Sequence, residues 1–296
     1  MLYPGFLFRS IDMMNLIAEI DFSQKEFVKS YPRYEYIDSN ILIEYCFQCE
    51  WISENAERCI KPTLRGEELL RIEDLISCLR LQIKDTLSIF PPTWLNIARR
   101  GRNTVKRNMT VNEIQCFQNA RLFNTDDLEV ISWWDEIILS SFDIDGKKKH
   151  ATGRKGELLT CYLEELRTGK KPILHSIDVN TAGYDVLSIL SATDRTDLFI
   201  EVKSSKLKWK FANFYLTRNE WGLISRNKDS ALHLWSFDKE LLFARVSYKD
   251  IKSHIPLNTG VGKWGNAIIP FSLVVPNRDP FNFPKMDKER LLELLV

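Results

Sequence analysis

Residues 197–203 read Asp197-Leu198-Phe199-Ile200-Glu201-Val202-Lys203 and predict the β-strand around which the second half of this chain is organised. Side chains alternate across a strand, so Glu201 and Lys203 share one face at the end of an otherwise apolar segment. Burying a carboxylate and an ammonium costs free energy unless the two pair or meet a metal ion. This face is therefore the first candidate for a functional site.

The segments on either side of this strand predict the order helix, three strands, helix, two strands. Apolar residues at helical spacing over 158–166 are followed by Gly169, a residue typical of helix ends. Thr217 and Glu220 form the T-x-x-E pattern of a capping box, which predicts the start of the second helix. Strands are predicted at 173–179, 184–190, 198–204, 231–237 and 242–247, with a last strand at 266–275 and a short helix at 287–295.

A second carboxylate, Asp185, opens the strand that precedes Glu201. If these two strands form a hairpin, Asp185 and Glu201 converge, and two carboxylates suit magnesium, which prefers hard oxygen ligands. Lys203 can then hold or polarise the attacking water, and Glu157 can add a ligand or orient that water. The alternative is an ion pair between Glu201 and Lys203 on an edge strand, with Glu157 complementing a helix dipole in the first turn of its helix.

Four motifs in this region resemble a known family. They are GRKGE at 153–157, GYDV at 183–186, IEVKS at 200–204 and FYLTRNEW at 214–221. In this order they look like the nuclease-like domain at the C-terminus of the plant NO VEIN protein, which is placed in the PD-(D/E)XK, or restriction-endonuclease-like, superfamily. The resemblance covers residues 150–250 and implies an αβββαβ core.

The resemblance also implies roles for individual residues. Asp185 and Glu201 would bind Mg²⁺ (or Mn²⁺), Lys203 would be the catalytic lysine, and Glu157 would assist them. Tyr184 stands where the superfamily name would place a proline before the aspartate.

The first half of the chain has a mostly helical pattern. Apolar residues over 41–52 recur at three and four residues, a turn-like stretch follows at 53–58, and TLRGEELL opens another helix. This order resembles part of a winged helix-turn-helix, so residues 40–75 are a candidate winged helix. Cys46 and Cys49 form a C-x-x-C, but they lie on the apolar stripe and no second pair of zinc ligands matches them, so we expect core cysteines.

The change of character near the run DGKKKH at 145–150 suggests two domains. We expect a mostly helical domain over 1–145 and a nuclease-like domain over 146–296 with a C-terminal arm. The fold class is α+β/α/β, with a mixed central sheet in the second domain.

The net charge of the chain is +1, from 41 Lys and Arg against 40 Asp and Glu, so any basic surface is local. Two basic segments are candidate phosphate contacts. The first, residues 94–109, contains no acidic residue, and the second follows the strand at 197–203. The alternative is a solvated helix face balanced by acidic residues over 126–136. The candidate nucleic-acid contacts are Arg99, Arg100, Arg102, Lys106, Arg107, Lys206 and Lys208.

No apolar run approaches the ~18 residues of a membrane helix, so no membrane partner is expected. The first positive charge follows the short N-terminal apolar stretch, the wrong order for a secretory signal. We therefore expect a cytoplasmic protein whose six cysteines are reduced thiols.

These observations, with the resemblance, favour a Mg²⁺-dependent endonuclease that cleaves DNA in bacterial restriction or anti-phage defence. Cutting both strands of a duplex usually takes two active sites, so a homodimer or a larger defence complex is expected, without a small-molecule cofactor. The principal alternative is a non-catalytic winged-helix DNA-binding or regulatory protein that uses the nuclease fold as a scaffold. A third is an adaptor acting through protein contacts, which burial of the basic segment would favour.

Overall fold

The computed structural model describes residues 2–123, 127–139, 144–180, 182–258 and 263–282, together with Glu289 and Leu294. The chain divides into two compact units. The first comprises Met1–Ala98 and Val105–Ile137, and the second comprises Arg99–Thr104 and Ile138–Val296. The expected boundary at residue 145 thus differs from the observed one, because residues 145–150 form the start of a long helix instead of a linker.

The first unit is built mainly from helices, as its sequence pattern predicts. Two short antiparallel hairpins, β1–β2 and β3–β4, interrupt them. From the N-terminus to Leu139 the elements are α1 (Pro4–Glu19), α2 (Gln24–Ser30), β1 (Arg33–Tyr34), β2 (Ile37–Asp38), α3 (Ser39–Gln48), β3 (Ile52–Glu54), β4 (Ile60–Pro62), α4 (Leu64–Arg71), α5 (Leu75–Ile89), a 3-10 helix (Thr93–Arg100), α6 (Arg102–Asn108), α7 (Val111–Asn119) and α8 (Leu128–Leu139).

The order helix, hairpin, helix over residues 39–71 agrees with the pattern of the sequence. The Thr63 hydroxyl accepts a hydrogen bond from the backbone N–H of Gly66, which caps α4. Ile52 lies in β3 and not in the helix, because α3 ends at Gln48. Cys46 and Cys49 are buried, as expected of core cysteines, and burial raises the pKa of the Cys49 thiol to about 11.

The second unit combines helices with a mixed sheet. Its elements after residue 143 are α9 (Ile144–Thr168), β5 (Ile173–Leu174), β6 (Val186–Ile189), β7 (Asp197–Ser205), a 3-10 helix (Trp209–Phe211), β8 (Asn213–Thr217), α10 (Arg218–Arg226), β9 (Ser230–Phe237), β10 (Leu241–Val246), α11 (Tyr248–Ile251), a 3-10 helix (Lys252–His254), β11 (Asn266–Pro270) and a 3-10 helix (Phe271–Leu273).

Five strands form the central sheet in the order β10-β9-β7-β6-β5, with β7 in the middle. Strand β7 pairs antiparallel with β6 and parallel with β9, so the sheet is mixed and the protein belongs to the mixed α/β class. The predicted order of helix, three strands, helix, two strands is found for α9, the five strands of this sheet and α10, with one further strand, β8, before α10. The segment after β5 turns instead of continuing as a strand, because the backbone N–H groups of His175 and Ser176 both donate to the carbonyl oxygen of Asp185.

Strand β8 is an addition to the predicted set. It pairs antiparallel with β11 in a separate two-stranded sheet. The expected last strand over 266–275 is shorter, since the backbone forms a 3-10 turn from Phe271. The expected C-terminal helix at 287–295 lies outside the described residues except for Glu289 and Leu294.

Helix α9 lies directly on the central sheet. A Cβ atom at Gly156 would lie only 1.9 Å from Ser204 Oγ on β7. One turn further along, the Thr160 hydroxyl accepts a hydrogen bond of 2.8 Å from Trp235 Nε1 on β9. This close approach places Glu157 beside the end of β7. None of the described helices is long and apolar enough to cross a membrane.

Residues 99–104 belong to the second unit because they bond to the loop after β5. The backbone N–H groups of Arg102 and Asn103 donate to the carbonyl oxygens of Ile177 and Asp178. The Arg102 side chain is only 2% exposed and its Nη2 lies 2.8 Å from Asp178 Oδ1. The structure therefore corrects the expectation for Arg102: this guanidinium is an internal ion-pair partner and not a phosphate contact.

We predict that Gly101→Ala destabilises the second unit by about 1–3 kcal/mol. The φ angle of Gly101 is +97°, and a Cβ there would lie 2.4 Å from the carbonyl oxygen of Asp178. Gly153→Ala is the matched control, because it lies inside α9 with open space around the added methyl group and should stabilise by about 0.5–1 kcal/mol. Urea unfolding measures both, and equal effects of the two substitutions would contradict the prediction.

Candidate active site

The antiparallel pairing of β6 with β7 brings Asp185 to Glu201. The register pairs Val186 with Ile200, and the backbone N–H of Asp185 donates to the carbonyl oxygen of Ile200 at 2.9 Å. The same register places Asp185 opposite Glu201, and residues opposite each other in an antiparallel pair project to one face. Asp185 Oδ2 also accepts a hydrogen bond of 2.8 Å from the backbone N–H of Val202, which fixes this carboxylate against the edge of β7.

Lys203 lies between two carboxylates. Its Nζ atom is 2.7 Å from Glu201 Oε1 and 3.0 Å from Glu220 Oε1. Glu201 is two residues away on the same face of β7, whereas Glu220 lies in the first turn of α10. The ammonium group therefore joins the central strand to the following helix.

Glu220 has two structural roles, of which the sequence pattern indicated one. The predicted capping box is confirmed: the Thr217 backbone N–H donates to Glu220 Oε2 at 2.7 Å, and the Glu220 N–H donates to the Thr217 hydroxyl at 3.2 Å. The other carboxylate oxygen contacts Lys203. The motif FYLTRNEW contains Glu220 and could have indicated this contact. The capping box, however, already accounts for a glutamate at this position.

Burial and mutual repulsion act on the carboxyl groups at the end of β7. Glu201 is 4% exposed, and burial with the nearby charge of Asp185 raises its pKa well above the ordinary value, against the attraction of Lys203. Burial and the charge of Glu157 raise the pKa of Asp185 to about 7, opposed by Lys203 and the Val202 N–H. The site thus holds more carboxyl groups than its cation can neutralise.

The pKa values of Lys203 and Glu220 both shift in the direction that favours the charged pair. Burial disfavours the ammonium form of Lys203, but the charges of Glu201, Glu220 and Asp185 outweigh it and hold its pKa above the ordinary value. Burial likewise opposes ionisation of Glu220, but Lys203 and the Thr217 N–H hold the Glu220 pKa below its usual range. At neutral pH Lys203 is therefore an ammonium and Glu220 a carboxylate.

Glu157 lies in the middle of α9, because that helix begins at Ile144. The structure therefore corrects the alternative that Glu157 complements the dipole at a helix N-terminus. Its Oε2 atom accepts hydrogen bonds from Arg154 Nη1 at 2.5 Å and from the Ser176 hydroxyl at 2.6 Å. These bonds orient Glu157, whose charge also acts on Asp185.

A cleft of about 260 Å³ lies beside Glu157 within the second unit. Its walls come from residues 99–101, α9 and the loop after β5. They include Arg99, Arg154 and Asn180. The amide group of Asn180 donates to the carbonyl oxygen of Arg99 at 3.2 Å, which holds the segment 99–104 at the rim.

The donor set at the end of β7 suits a divalent ion such as Mg²⁺. Among the described residues, no group of three or more His, Cys, Asp or Glu side chains is arranged to hold a metal ion. Magnesium, however, is usually bound by one or two carboxylates together with waters and substrate phosphates. Asp185 and Glu201 supply two such carboxylates, and their raised pKa values report negative charge that a cation would stabilise.

The other candidate contacts divide between the two units. Arg99 and Arg100 are exposed in the second unit and Arg107 is exposed in the first. Lys106 is half-buried, with its Nζ 4.7 Å from the centre of the Phe123 ring. The two candidate lysines after β7, Lys206 and Lys208, are also exposed.

Trp209, which lies between Lys208 and Lys210 in the sequence, is buried. Its indole N–H donates to the carbonyl oxygen of Val274 at 3.0 Å. This aromatic side chain is therefore part of the core of the second unit and not of a binding surface.

Comparison with known proteins yields one family. The model of the family described as "Protein NO VEIN, C-terminal" matches residues 160–235 of the 296. The matched segment includes Asp185, Glu201, Lys203 and Glu220 and leaves Glu157 outside. No match was found among curated proteins or among solved structures.

We predict that Asp185→Asn stabilises the protein much more at pH 8 than at pH 4.5. The Asp185 carboxyl has a pKa of about 7 when folded and an ordinary value of 3.8, so its stabilising contribution is lost as the pH rises through this window. Asparagine cannot ionise but can still accept the bond from Val202. Urea unfolding should show a gain of more than about 1 kcal/mol at pH 8.

Asp194→Asn is the control for this measurement. The hydrogen bonds from the backbone and side chain of Thr196 lower the pKa of Asp194, so its contribution has the opposite sign and disappears as the pH falls. The expectation for Asp185 fails if Asp185→Asn changes stability equally at the two pH values.

Proposed function

We propose that the second unit is a metal-dependent nuclease of the restriction-endonuclease-like type that hydrolyses phosphodiester bonds of DNA. The observation that carries this proposal is the convergence of Asp185 and Glu201 with an ammonium group, Lys203, held between Glu201 and Glu220. Carboxylates that hold a divalent cation and a neighbouring cation are the parts that phosphoryl chemistry requires.

The topology of the second unit supports the same proposal. Helix α9 precedes β5, β6 and β7, and α10 leads to β9, which pairs parallel with β7. This is the αβββαβ order that the family resemblance implies. In the first unit, the order α3, β3–β4 hairpin, α4 supports a winged helix that positions the nucleic acid.

Each residue of the site has a proposed role. Asp185 and Glu201 hold the divalent cation, which when bound offsets the negative charge that develops on the phosphate group. Lys203 is protonated at neutral pH, so it acts as a hydrogen-bond donor that orients the attacking water or a phosphate oxygen and not as a general base. Glu220 and Glu201 fix the position of its Nζ atom.

The setting of this activity is part of the proposal. Cleavage of both strands of a duplex needs two active sites, so we expect a homodimer or a larger defence complex acting on DNA in the cytoplasm. Restriction or anti-phage defence in bacteria fits a nuclease that carries a separate helical unit for selecting its target.

We predict that the wild-type protein cleaves plasmid DNA in Mg²⁺ or Mn²⁺ and that Lys203→Met lowers the rate by about 10²-fold or more. The Lys203 donor is lost, while the carboxylates that hold the cation remain. Lys239→Met removes an exposed lysine from the turn between β9 and β10 and should leave the rate unchanged. Agarose-gel assays over time measure the three rates.

Intact DNA with every variant, under conditions in which the protein binds DNA, would contradict the nuclease proposal. That outcome would favour a DNA-binding or regulatory protein that uses the second unit as a scaffold. Equal rates for wild type and Lys203→Met would instead place the activity elsewhere in the chain.

We also predict that Mg²⁺ or Mn²⁺ stabilises the wild-type protein at pH 8. A ligand that binds only the folded state adds about 1.4 kcal/mol at ten times its dissociation constant. Glu201→Gln removes one proposed ligand and should abolish this stabilisation, whereas Glu240→Gln, an exposed control paired with Arg278, should preserve it. Thermal unfolding with and without the cation measures the effect, and an unchanged response of Glu201→Gln would contradict the metal site.

A further inference from the structure

The centre of the outer face of the β8–β11 sheet is apolar and exposed to solvent, with Asn213, Thr217 and Asn266 at the ends of this face. Tyr215 and Ile268 are direct cross-strand partners and are 62% and 59% exposed. The solvent face of an antiparallel sheet is ordinarily polar. Phe211, which lies in the 3-10 helix before β8, is 60% exposed as well. Neighbouring exposed apolar side chains of this kind mark an interaction surface.

The opposite face of the same sheet is anchored in the core. Phe214 and Leu216 of β8 and Ala267 and Ile269 of β11 are buried in one apolar cluster. The exposed side chains are therefore held on a rigid support. A ligand that contacts them meets a surface whose backbone is already ordered.

The chain around this face carries positive charge without acidic residues. No Asp or Glu occurs over 202–219 or over 263–278. Lys206, Lys208 and Lys210 are all exposed, and Lys210 Nζ lies 4.6 Å from the centre of the Phe211 ring. Within the described part of the chain, these three lysines form no ion pair with a carboxylate. Their charge is available to an anionic ligand.

We infer that this surface binds single-stranded nucleic acid. We call it the sheet platform and define it by Phe211, Tyr215 and Ile268 with the three lysines at 206, 208 and 210. Aromatic side chains on a sheet stack on unpaired bases, and lysines beside them neutralise the phosphates that link those bases. A duplex keeps its base faces stacked inside, so exposed rings favour a single strand.

The platform and the candidate active site are joined along the chain. Strand β8 ends at Thr217, and the helix that follows supplies Glu220, whose carboxylate contacts Lys203. The strand that carries Tyr215 is therefore followed directly by the helix that contributes Glu220 to the site. The inference rests on the proposed function for the identity of its ligand, but binding on the platform requires no cleavage.

Binding in EDTA tests the platform without catalysis. Fluorescence anisotropy with an oligothymidylate of about 20 nucleotides should show that Tyr215→Ala weakens binding by about tenfold, a loss within the range for one stacked base. Tyr215→Phe keeps the ring and should bind within about twofold of wild type. Tyr36→Ala is the matched control, since Tyr36 is 90% exposed in the first unit. A blunt duplex of equal length should respond less to Tyr215→Ala.

The outcomes separate the platform from the nuclease. Binding by Tyr215→Ala equal to wild type overturns the platform, whatever the cleavage assay shows. Tight binding that depends on Tyr215, in a protein that cleaves nothing, supports the platform and overturns the nuclease. Sedimentation of wild type and Tyr215→Ala adds a third case: a dimer that the substitution dissociates, with oligonucleotide binding unchanged, assigns the face to self-association and overturns the inference.

Discussion

The hydrogen bond from the Val202 N–H to Asp185 Oδ2 fixes the position of one carboxylate, and the arrangement of the candidate active site depends on it. It fixes the carboxylate of the residue that precedes β6 against the backbone of β7, opposite Glu201. Burial raises the pKa of both carboxyl groups, and nearby negative charge adds to it, from Glu157 at Asp185 and from Asp185 at Glu201. The structure offsets part of that cost with Lys203, and the remaining negative charge is the property that suits the site to a divalent cation.

Lys203 also links the central strand β7 to helix α10. Its partner Glu220 completes the capping box of α10 with Thr217, so a residue that caps the helix also holds the ammonium group. Helix placement and the geometry of the site are therefore coupled through one side chain. A shift of α10 along its axis would move the Glu220 carboxylate relative to Lys203 as well as the buried side chain of Ile224.

Features that depend on neighbours in the chain could be predicted from the sequence. Gly169 ends α9 with a φ of +70°, and Thr217 with Glu220 begins α10, because both depend on residues within one turn. The meeting of Asp185 and Glu201 could also be anticipated, since a hairpin between two adjacent strands is the simplest connection.

Features that depend on distant partners could not be predicted. Strand β8 pairs with β11, which lies about fifty residues further along the sequence, and no local sequence pattern indicates this pairing. Arg102 looks like a member of a basic surface until Asp178 is known to lie beside it. Trp209 lies between two exposed lysines in the sequence, but its indole ring packs in the core, whereas Phe211 and Tyr215 nearby in the chain are exposed. Tertiary packing decides which of these side chains are buried, and this packing cannot be inferred from the local sequence.

The path of the chain through the two units has a consequence for how the protein can be divided. The chain enters the second unit at Arg99, returns to the first at Val105, and leaves it again after Ile137. A C-terminal fragment that begins at residue 138 would lack the segment whose N–H groups bond to Ile177 and Asp178. It would also leave Asp178 without its guanidinium partner. The two units are thus compact in space but interleaved in sequence, so exchange of the C-terminal half between proteins would have to carry residues 99–104 with it.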